Sequence, residues 1–472
     1  MHEGLAKEIA AYEKRTPRSK ESHTRALERI PLGVASNYRA YEPYPLFVRE
    51  GKAGRLWDED GNEYVDFGLS FGALLSGHSH PAVVRAVESR LRGGTAYGMP
   101  HDMEWQLAEE ICKRYPVDMV RFGCSGTEAT MHAVRLARAA TRRDRIIKFE
   151  GAYHGLHDAA LVSVKPRLED SGSADAPTAV PGGAGIPAAH VANTLVATFN
   201  NLVSVERRFE QYPGQVAAVI LEPIMMNVGM CLPEQGFLHA LRELARKHGA
   251  LLIFDEVKTG AKLAWGGACE YFGLQADIVC LAKSIGGGLP LSAFGASRRV
   301  MDLISRHEVF HGGTFNTNPI SMAAGLAMFR EVLTRQNYAH VDRLSKKLLE
   351  GYQRTLERAG LKACVVGAGA NGVILFREKP LRNYRDWLEV DRDLWRHYWF
   401  AMVNRGVLPQ PFGVDEQWTI CVQHTEEDID RHLGAFEEIA PALAQAQRDR
   451  AHAVPGGAEA AVPGASRAGG VR

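Results

Sequence analysis

Two short stretches in the middle of the chain restrict its fold and chemistry more than any other feature. The first, LLIFDEVK at 251–258, is an apolar run that ends in the carboxylates Asp255 and Glu256. Buried parallel strands show this pattern where their carboxyl ends open on a site. The second, LAKSIGGGLP at 281–290, brings Lys283 into a glycine-rich turn 28 residues after Asp255. We therefore expect both groups at the same edge of one sheet.

A buried lysine near a buried aspartate suggests Schiff-base chemistry. A lysine that loses its proton captures carbonyl groups. An aspartate that keeps its charge can hold a pyridinium nitrogen protonated, which makes pyridoxal phosphate an electron sink. Taken singly, an aspartate at a strand end and a lysine before glycines are more common in ordinary loops. The pair therefore needs support from the rest of the chain.

The length and the charge composition of the chain favour a soluble enzyme that acts on a small molecule. The 472 residues include 56 Lys and Arg against 55 Asp and Glu, without a polybasic block that would attract nucleic acid or an anionic membrane. Seven scattered cysteines without a CxxC pair argue against a disulfide framework and a zinc knuckle. The N-terminus is charged and no apolar run is long enough to span a membrane, so we expect a cytoplasmic protein.

The turn Ser125-Gly126-Thr127 has the features of a phosphate site. It lies between a short strand and a helix, so free backbone N–H groups and the positive end of the helix dipole can face an anion. A serine at a helix start is also an ordinary N-cap, which remains the alternative interpretation. Thr314 follows two glycines in HGGTFNTN and is a second potential phosphate donor.

Two more strand ends carry aromatic or polar groups. GAYHG places Tyr153 and His154 where the ligands of open α/β sheets gather, although plain packing explains an aromatic there equally well. The strand VAAVILE ends in Glu222, and Asn227 lies in the loop beyond it. A random globular chain would scatter such groups over both edges of a sheet. Their placement predicts one site on a parallel sheet built from β-α-β units.

Four remaining features are less specific. Residues 165–191 are rich in Pro, Gly, Ser and Ala, and their length makes them a candidate active-site loop. Arg39, between two tyrosines, could clamp a carboxylate or stack on an aromatic ring at the surface. His78 and His80 lack an accompanying cluster of ligands, so we expect packing or capping and predict no metal site. The Ala/Gly/Pro-rich residues 451–472 are predicted to be disordered.

Ten sequence blocks, taken in order, resemble a class III, subgroup II aminotransferase of pyridoxal-phosphate fold type I. The blocks are PLGVASNYRA, LWDEDGNEYVDF, GHSHP, SGTEAT, GAYHG, ILEPI, FDEVKTG, LAKSIGGGLPLSAFG, GGTFNTNP and HTEEDID. The most similar groups are the glutamate-1-semialdehyde aminomutases and the β-amino acid and D-phenylglycine aminotransferases. The resemblance implies an α/β fold with a mostly parallel, helix-flanked sheet in a large domain at 76–335. It also implies a small α+β domain built from 1–75 and 336–450.

The resemblance implies a role for each matching residue. Lys283 would be the aldimine lysine and Asp255 the partner of the pyridine nitrogen. The phosphate would be held by Ser125, Gly126 and Thr127, and Tyr153 and Val257 would contact the two faces of the ring. The remaining implied contacts are His154 and Asn227 with the cofactor, Arg39 with a substrate carboxylate, and Thr314 with the phosphate of a neighbouring subunit. The last of these implies a homodimer with shared sites.

Departures from the family pattern bear on the substrate. Where relatives commonly read DEVMTGFR this chain reads DEVKTGAK, so Lys258 and Lys262 change the charge beside the cofactor. The segment after Gly406 lacks the aminomutase pattern and offers Gln410 and Gln417 instead. We therefore expect a transaminase that moves the amino group of an amino acid, such as a β-amino or other non-standard one, to an oxo acid. The alternative is glutamate-1-semialdehyde 2,1-aminomutase.

Overall fold

The structure, a computed structural model, describes residues 2–453. The helices are α1 Glu3–Arg15, α2 Pro17–Leu27, α3 Leu69–Gly72, α4 Pro81–Leu91, α5 Asp102–Cys112, α6 Gly126–Thr141, α7 Ala188–Ala192, α8 Leu202–Gln211, α9 Phe237–Lys247, α10 Gly260–Leu263, α11 Gly267–Phe272, α12 Arg298–Ser305, α13 Pro319–Ala327, α14 Arg335–Ala359, α15 Tyr384–Trp387, α16 Arg392–Asn404 and α17 Glu426–Ala453. The strands are β1 Val48–Lys52, β2 Arg55–Asp58, β3 Glu63–Asp66, β4 Met119–Gly123, β5 Arg145–Phe149, β6 Gly172–Ser173, β7 Ala176–Pro177, β8 Thr194–Ala197, β9 Val216–Leu221, β10 Leu251–Asp255, β11 Ile278–Leu281, β12 Ser292–Ala296, β13 Cys364–Ala368, β14 Asn371–Leu375, β15 Val407–Leu408 and β16 Trp418–Thr419.

The centre of the molecule is a seven-stranded sheet in the order β4-β12-β11-β10-β9-β5-β8. The strands from β11 to β8 run parallel, and only β12 runs against its neighbours. Helices follow most of these strands, since parallel neighbours need a crossover connection. The predicted α/β fold with a mostly parallel sheet is confirmed. Because all strands but β12 point the same way, their carboxyl ends meet at one edge.

Both faces of this sheet are buried, which explains why its strands read as continuous apolar runs. On β10, Ile253 packs on the face covered by α6 and α12. Its neighbours Leu252 and Phe254 belong to the larger core on the opposite face. Small residues of α6, such as Ala133 and Ala137, let that helix lie close to the strands. The strand is therefore held from both sides, and Asp255 at its end has a fixed position.

One of the smaller sheets joins the two ends of the chain. Strands β2 and β3 form an antiparallel hairpin around Asp60-Gly61, and β15 pairs parallel to β3. A second small sheet has the order β13-β14-β16. The aromatic helix α16 packs between α1 and α17, with Trp399 and Phe400 buried. The strands of the large sheet all fall within 76–335, but the domain boundaries themselves stay a prediction.

Local predictions agree with the structure in several other places. Pro17, at the first position of α2, follows the break between α1 and α2. His80 caps α4 through its ring nitrogen, which accepts from the Ala82 N–H, and His78 contacts Asp66 at 2.7 Å. Helix α17 continues to Ala453, three residues into the tail predicted to be disordered, and the rest of that tail lies outside the described residues.

Within residues 2–453, no helix combines the length and the apolar character that a membrane crossing requires.

Replacing Ile253 by alanine should lower the stability of the chain without touching the site directly. Ile253 is fully buried under α6, so the deleted carbons leave a cavity in a packed core. Such changes cost about 2–5 kcal/mol in the free energy of unfolding. The matched control is Val203→Ala, whose side chain is 50% exposed and whose loss should change stability by less than about 0.5 kcal/mol. Urea unfolding of both variants measures the difference, and equal midpoints would contradict the described core.

Candidate active site

A cavity of about 1000 Å³ opens at the carboxyl edge of the large sheet. Its lining includes most of the residues predicted to bind the cofactor: Ser125, Gly126, Thr127, Tyr153, His154, Asn227, Asp255, Val257 and Lys283. These residues come from the ends of β4, β5, β9, β10 and β11. The segment 161–183, which overlaps the stretch 165–191 predicted as an active-site loop, lines one side of the cavity. The structure thus brings the separate strand ends together at one place.

Asp255 is buried at the end of β10 and is held as a hydrogen-bond acceptor. Its Oδ1 accepts from the Val257 N–H at 3.0 Å, and its Oδ2 lies 2.8 Å from Nδ1 of His154. In its Nδ1–H tautomer, His154 donates to that oxygen. A carboxylate has about four acceptor positions, so Asp255 can still accept from a group in the cavity.

Glu222, at the end of β9, orients two other predicted residues. Its Oε1 accepts from the Tyr153 N–H at 3.1 Å, and its Oε2 accepts from Asn227 Nδ2 at 2.8 Å and from the Met226 N–H at 2.9 Å. Burial raises the pKa of Glu222, and the nearby His154 opposes that rise. The sequence showed this carboxylate only as a strand end, and its orienting role depends on a tertiary contact.

Lys283 has an unusual backbone and an unusual amine environment. Its φ of 53° lies in the left-handed region, which is uncommon for a non-glycine residue. Its Nζ donates to the Phe71 carbonyl at 3.1 Å. Burial lowers the pKa of Lys283 to about 8, and the positive charge of Lys258 acts in the same direction. The amine is therefore available in its neutral, nucleophilic form closer to neutral pH than an ordinary lysine.

The carbonyl that Lys283 contacts belongs to a strained turn. Leu69, Ser70, Phe71 and Gly72 all have positive φ, between 42° and 72°. Left-handed conformation in successive non-glycine residues is costly, so the surrounding structure must hold it in place. The hydroxyl of Ser284 donates to the Gly72 carbonyl at 3.0 Å and helps to fix this turn against the lysine.

The predicted phosphate turn has the geometry of an anion cradle. Ser125 is the N-cap of α6, and its Oγ accepts from the Glu128 N–H at 3.2 Å. Among the described residues the N–H groups of Gly126 and Thr127 have no acceptor, as expected in the first turn of a helix. A Cβ on Gly126 would lie 2.9 Å from the methyl groups of Val257. Glycine is therefore needed for the close approach of the turn to the Asp255 loop.

Two predicted residues lie outside the cavity of this chain. Arg39 is exposed at the end of the turn Asn37–Arg39, and it is Asn37 and Tyr38 that line the cavity. Thr314 is exposed in the loop before α13. Its implied contact is with a neighbouring subunit, so its role stays a prediction, as does the binding of a substrate carboxylate by Arg39.

Sequence reasoning missed a set of charges on the cavity wall. Lys258 pairs with Glu416 at 2.8 Å, and Lys165 pairs with Asp415 at 2.6 Å. All four residues line the cavity. The sequence showed Lys258 as a departure from the family pattern, but its partner is 158 residues away. By contrast, Gln410 and Gln417 do not line the cavity, and their side-chain amides donate to backbone carbonyls.

Together these residues fit pyridoxal 5′-phosphate. The cavity combines Lys283, whose pKa is lowered, with Asp255, whose carboxylate is fixed by hydrogen bonds, and with the N-terminus of α6, which has free N–H groups. Tyr153 lines the same cavity and could contact a flat ring. The buried Nε2 of His154 has no partner among the described residues, so His154 has hydrogen-bonding capacity beyond its contact with Asp255.

Comparisons with known proteins agree with this geometry. The family model "Aminotransferase class-III" matches residues 36–439. The chain is 38% identical to the glutamate-1-semialdehyde 2,1-aminomutase of Desulfitobacterium hafniense strain DCB-2 over 90% of this chain and 98% of that protein. It is 41% identical to the enzyme of the same name from Sorangium cellulosum, over 90% and 96%. A solved ω-transaminase from Sphaerobacter thermophilus superposes with a TM-score of 0.86 at 33% identity, over 90% and 98%.

The amine of Lys283 should react with a small acylating reagent at lower pH than exposed lysines do. Because burial disfavours the ammonium form, the rate of acetylation by acetic anhydride in the cofactor-free full chain should rise with a midpoint near pH 8. Mass spectrometry of the peptide that contains Lys283 measures the rate, and exposed lysines of the same sample serve as references. A midpoint near the ordinary lysine value of about 10.4 would contradict the described environment.

Proposed function

The chain belongs to the class-III aminotransferases and is a pyridoxal 5′-phosphate enzyme, and on this premise we propose that it exchanges the amino group of a small amino acid with Lys283 as nucleophile and proton carrier. The observation that carries the proposal is the meeting of Lys283 and Asp255 in one cavity. Two reactions of this kind are candidates. One moves the amino group within a single molecule, and the other moves it to a separate oxo acid.

Intramolecular transfer, the reaction of a glutamate-1-semialdehyde 2,1-aminomutase, is the better supported candidate. Relatives of that name match nearly the whole chain at 38% and 41% identity. The sequence pattern alone ranked this reaction second, partly because of Gln410 and Gln417. Both side chains bind backbone carbonyls away from the cavity, so they no longer argue against a mutase. The ranking based on the sequence is therefore reversed.

Transamination to a separate oxo acid is the second candidate. It is supported by the similarity to the ω-transaminase of Sphaerobacter thermophilus. It is also supported by Lys258, since this departure from the common family residue does lie in the cavity wall. Tyr38 and Phe71 contribute aromatic surface at the same cavity, with ring centroids 6.2 Å apart. Such a wall suits an amino acid with an apolar side chain.

Each of the cavity residues would have a separate role in the reaction. When bound, pyridoxal phosphate supplies an electron sink for the electron pair that remains after a proton leaves the substrate carbon. Lys283 Nζ would take that proton and return it as general acid, which requires an amine with a lowered pKa. Asp255, held by the Val257 N–H and His154, would keep a ring nitrogen protonated. Gly126 and Thr127 would bind the phosphate through their N–H groups.

Other parts of the proposal concern the assembly and the substrate carboxylate. We keep Arg39 as the group for the substrate carboxylate and Thr314 as a phosphate contact in a homodimer. Both residues lie outside the cavity of their own chain, which is compatible with a role in a neighbouring subunit's site. A cytoplasmic location also remains part of the proposal.

Replacing Lys283 by alanine should abolish amino transfer with either candidate substrate. Nucleophile and proton carrier are lost together, and loss of the general acid and base alone costs about 10²–10⁴-fold in rate. The control Lys346→Ala removes an exposed lysine of α14 and should leave turnover unchanged. Steady-state rates of both variants at saturating substrate measure the effect. A rate near that of the wild type in Lys283→Ala would refute the assignment.

An assay with glutamate-1-semialdehyde alone should separate the two reactions. A mutase converts this compound into its amino-ketone isomer without an acceptor and without release of a free oxo acid at stoichiometric yield. Chromatography of the products, with and without an added oxo acid, measures both quantities. We expect the isomer in the absence of an acceptor. Stoichiometric release of an oxo acid, or turnover only when an acceptor is added, would favour the transaminase instead.

A further inference from the structure

Lys258 and Glu416 form a buried ion pair in the wall of the cavity that contains Lys283. Lys258 Nζ lies 2.8 Å from Glu416 Oε2 and donates to the Met226 carbonyl at 2.8 Å. Lys258 is 6% exposed and Glu416 is 8% exposed. One residue follows β10 and the other precedes β16, so the pair joins the large sheet to the C-terminal part of the chain.

Neighbouring groups hold the pair in one arrangement. The Met226 carbonyl that accepts from Lys258 also accepts from Gln417 Nε2 at 2.6 Å. The backbone carbonyl of Glu416 accepts from Gln410 Nε2 at 2.9 Å. Each member of the pair is thus anchored by a second contact. This explains why Gln410 and Gln417 are directed at the backbone and not at the cavity.

Stability alone gives no clear reason for this pair. Removing two charges from water is costly, and a well-packed apolar pair of similar volume is often as stable or more stable. An apolar side chain at position 258 would need no charged partner. A buried charge that the fold does not require points to a role in the adjacent chemistry.

We propose that Lys258 and Glu416 are a pair of positioning charges for the reacting lysine. Lys258 repels a proton from the Lys283 nitrogen, and Glu416 limits that repulsion while it holds Lys258 against the cavity wall. Neither residue needs to touch the substrate for this effect. The role is independent of whether the amino group moves within one molecule or between two, because both reactions use Lys283.

The electrostatic surroundings of Lys283 agree with this role. After burial itself, the charge of Lys258 is the strongest influence that lowers the pKa of Lys283, and Glu416 is the strongest that raises it. Glu222 and Asp255 also raise it, but more weakly. These four charged groups come from the loops that follow β9 and β10, from β10 itself and from the segment before β16.

Among the other elements packed on Lys283, helix α10 contributes Lys262. Burial lowers the pKa of Lys262 well below its ordinary value, and the charges of Lys283 and Lys258 act in the same direction. Neither α13 nor β12 carries a titratable side chain. In the π-helical segment after α13, Arg330 pairs with Glu110 and Glu331 pairs with Arg85 at the surface. The opposed charges of Lys258 and Glu416 are therefore the two strongest charged influences on the pKa of Lys283.

The test compares the wild type with Lys258→Met, Glu416→Gln and the double variant. In the holoenzyme, the pH dependence of the visible absorbance of bound pyridoxal phosphate reports the protonation of the Lys283 nitrogen. In the cofactor-free full chain, acetylation of Lys283 reports it independently of the cofactor. Lys258→Arg, which keeps the positive charge, is the matched control. Thermal unfolding of each variant shows whether the chain is folded.

The proposal predicts opposite shifts for the two single variants. Lys258→Met should raise both midpoints by about one pH unit, because a repelling charge is lost. Glu416→Gln should lower them, because the glutamine oxygen can still accept from Lys258 while the opposing negative charge is gone. The double variant should return close to the wild type. Comparing it with Glu416→Gln isolates the charge of Lys258, since neither protein has the Glu416 carboxylate.

A purely structural pair would behave differently. It would lower the unfolding temperature in both single variants and leave all midpoints within about 0.3 pH unit of the wild type, and that result would overturn the proposal. Shifts of the same sign in the two single variants would also overturn it. If Lys258→Met fails to fold, the wild type can still be compared with Glu416→Gln. The proposal requires a lower midpoint in Glu416→Gln than in the wild type. An unchanged or higher midpoint in that variant would overturn the role of both charges.

Discussion

The removal of the Lys283 amine from water is the physical effect on which the site depends. An ammonium ion loses hydration in the cavity, so the protein favours the neutral amine and lowers the pKa of Lys283 to about 8. In the same cavity, Asp255 accepts a hydrogen bond from the Val257 N–H and lies 2.8 Å from His154 Nδ1. One cavity therefore contains a lysine with a lowered pKa and a carboxylate held by fixed partners.

The fold places Lys283 and Asp255 in one cavity by bringing distant segments to one sheet edge. The turn at Leu69–Gly72, with four successive positive φ angles, presents the Phe71 carbonyl to Lys283 across 212 residues of sequence. The segment at 415–417 reaches the opposite wall, where Asp415 and Glu416 contact lysines and Gln417 binds backbone. Successive left-handed residues are costly, and a buried ion pair is often no more stable than a well-packed apolar pair of similar volume. Their presence around one lysine indicates that the chain tolerates these costs for the chemistry of that lysine.

The sequence predicted those parts of the site that depend on single strands. Apolar runs that end in Asp255 and Lys283 identify strand ends, and parallel strands place such ends at one edge. Ser125 and Gly126 could be assigned because a strand, a small-residue turn and a helix follow one another directly. The pair of Lys258 and Glu416 could not be predicted, since its partners meet only through tertiary packing. The location of Arg39 also escaped sequence reasoning, because a short turn decides whether that residue or Tyr38 faces the cavity.

The attachment point of the cofactor tests the account most directly, because Lys258, Lys262 and Lys283 lie close together. Holoenzyme reduced with borohydride and digested can be analysed by mass spectrometry for peptides that carry a pyridoxyl phosphate group. We expect this modification on Lys283, the lysine that contacts the strained turn and has its pKa lowered to about 8. A protein without the modification, or with the modification on Lys258 or Lys262, would contradict it.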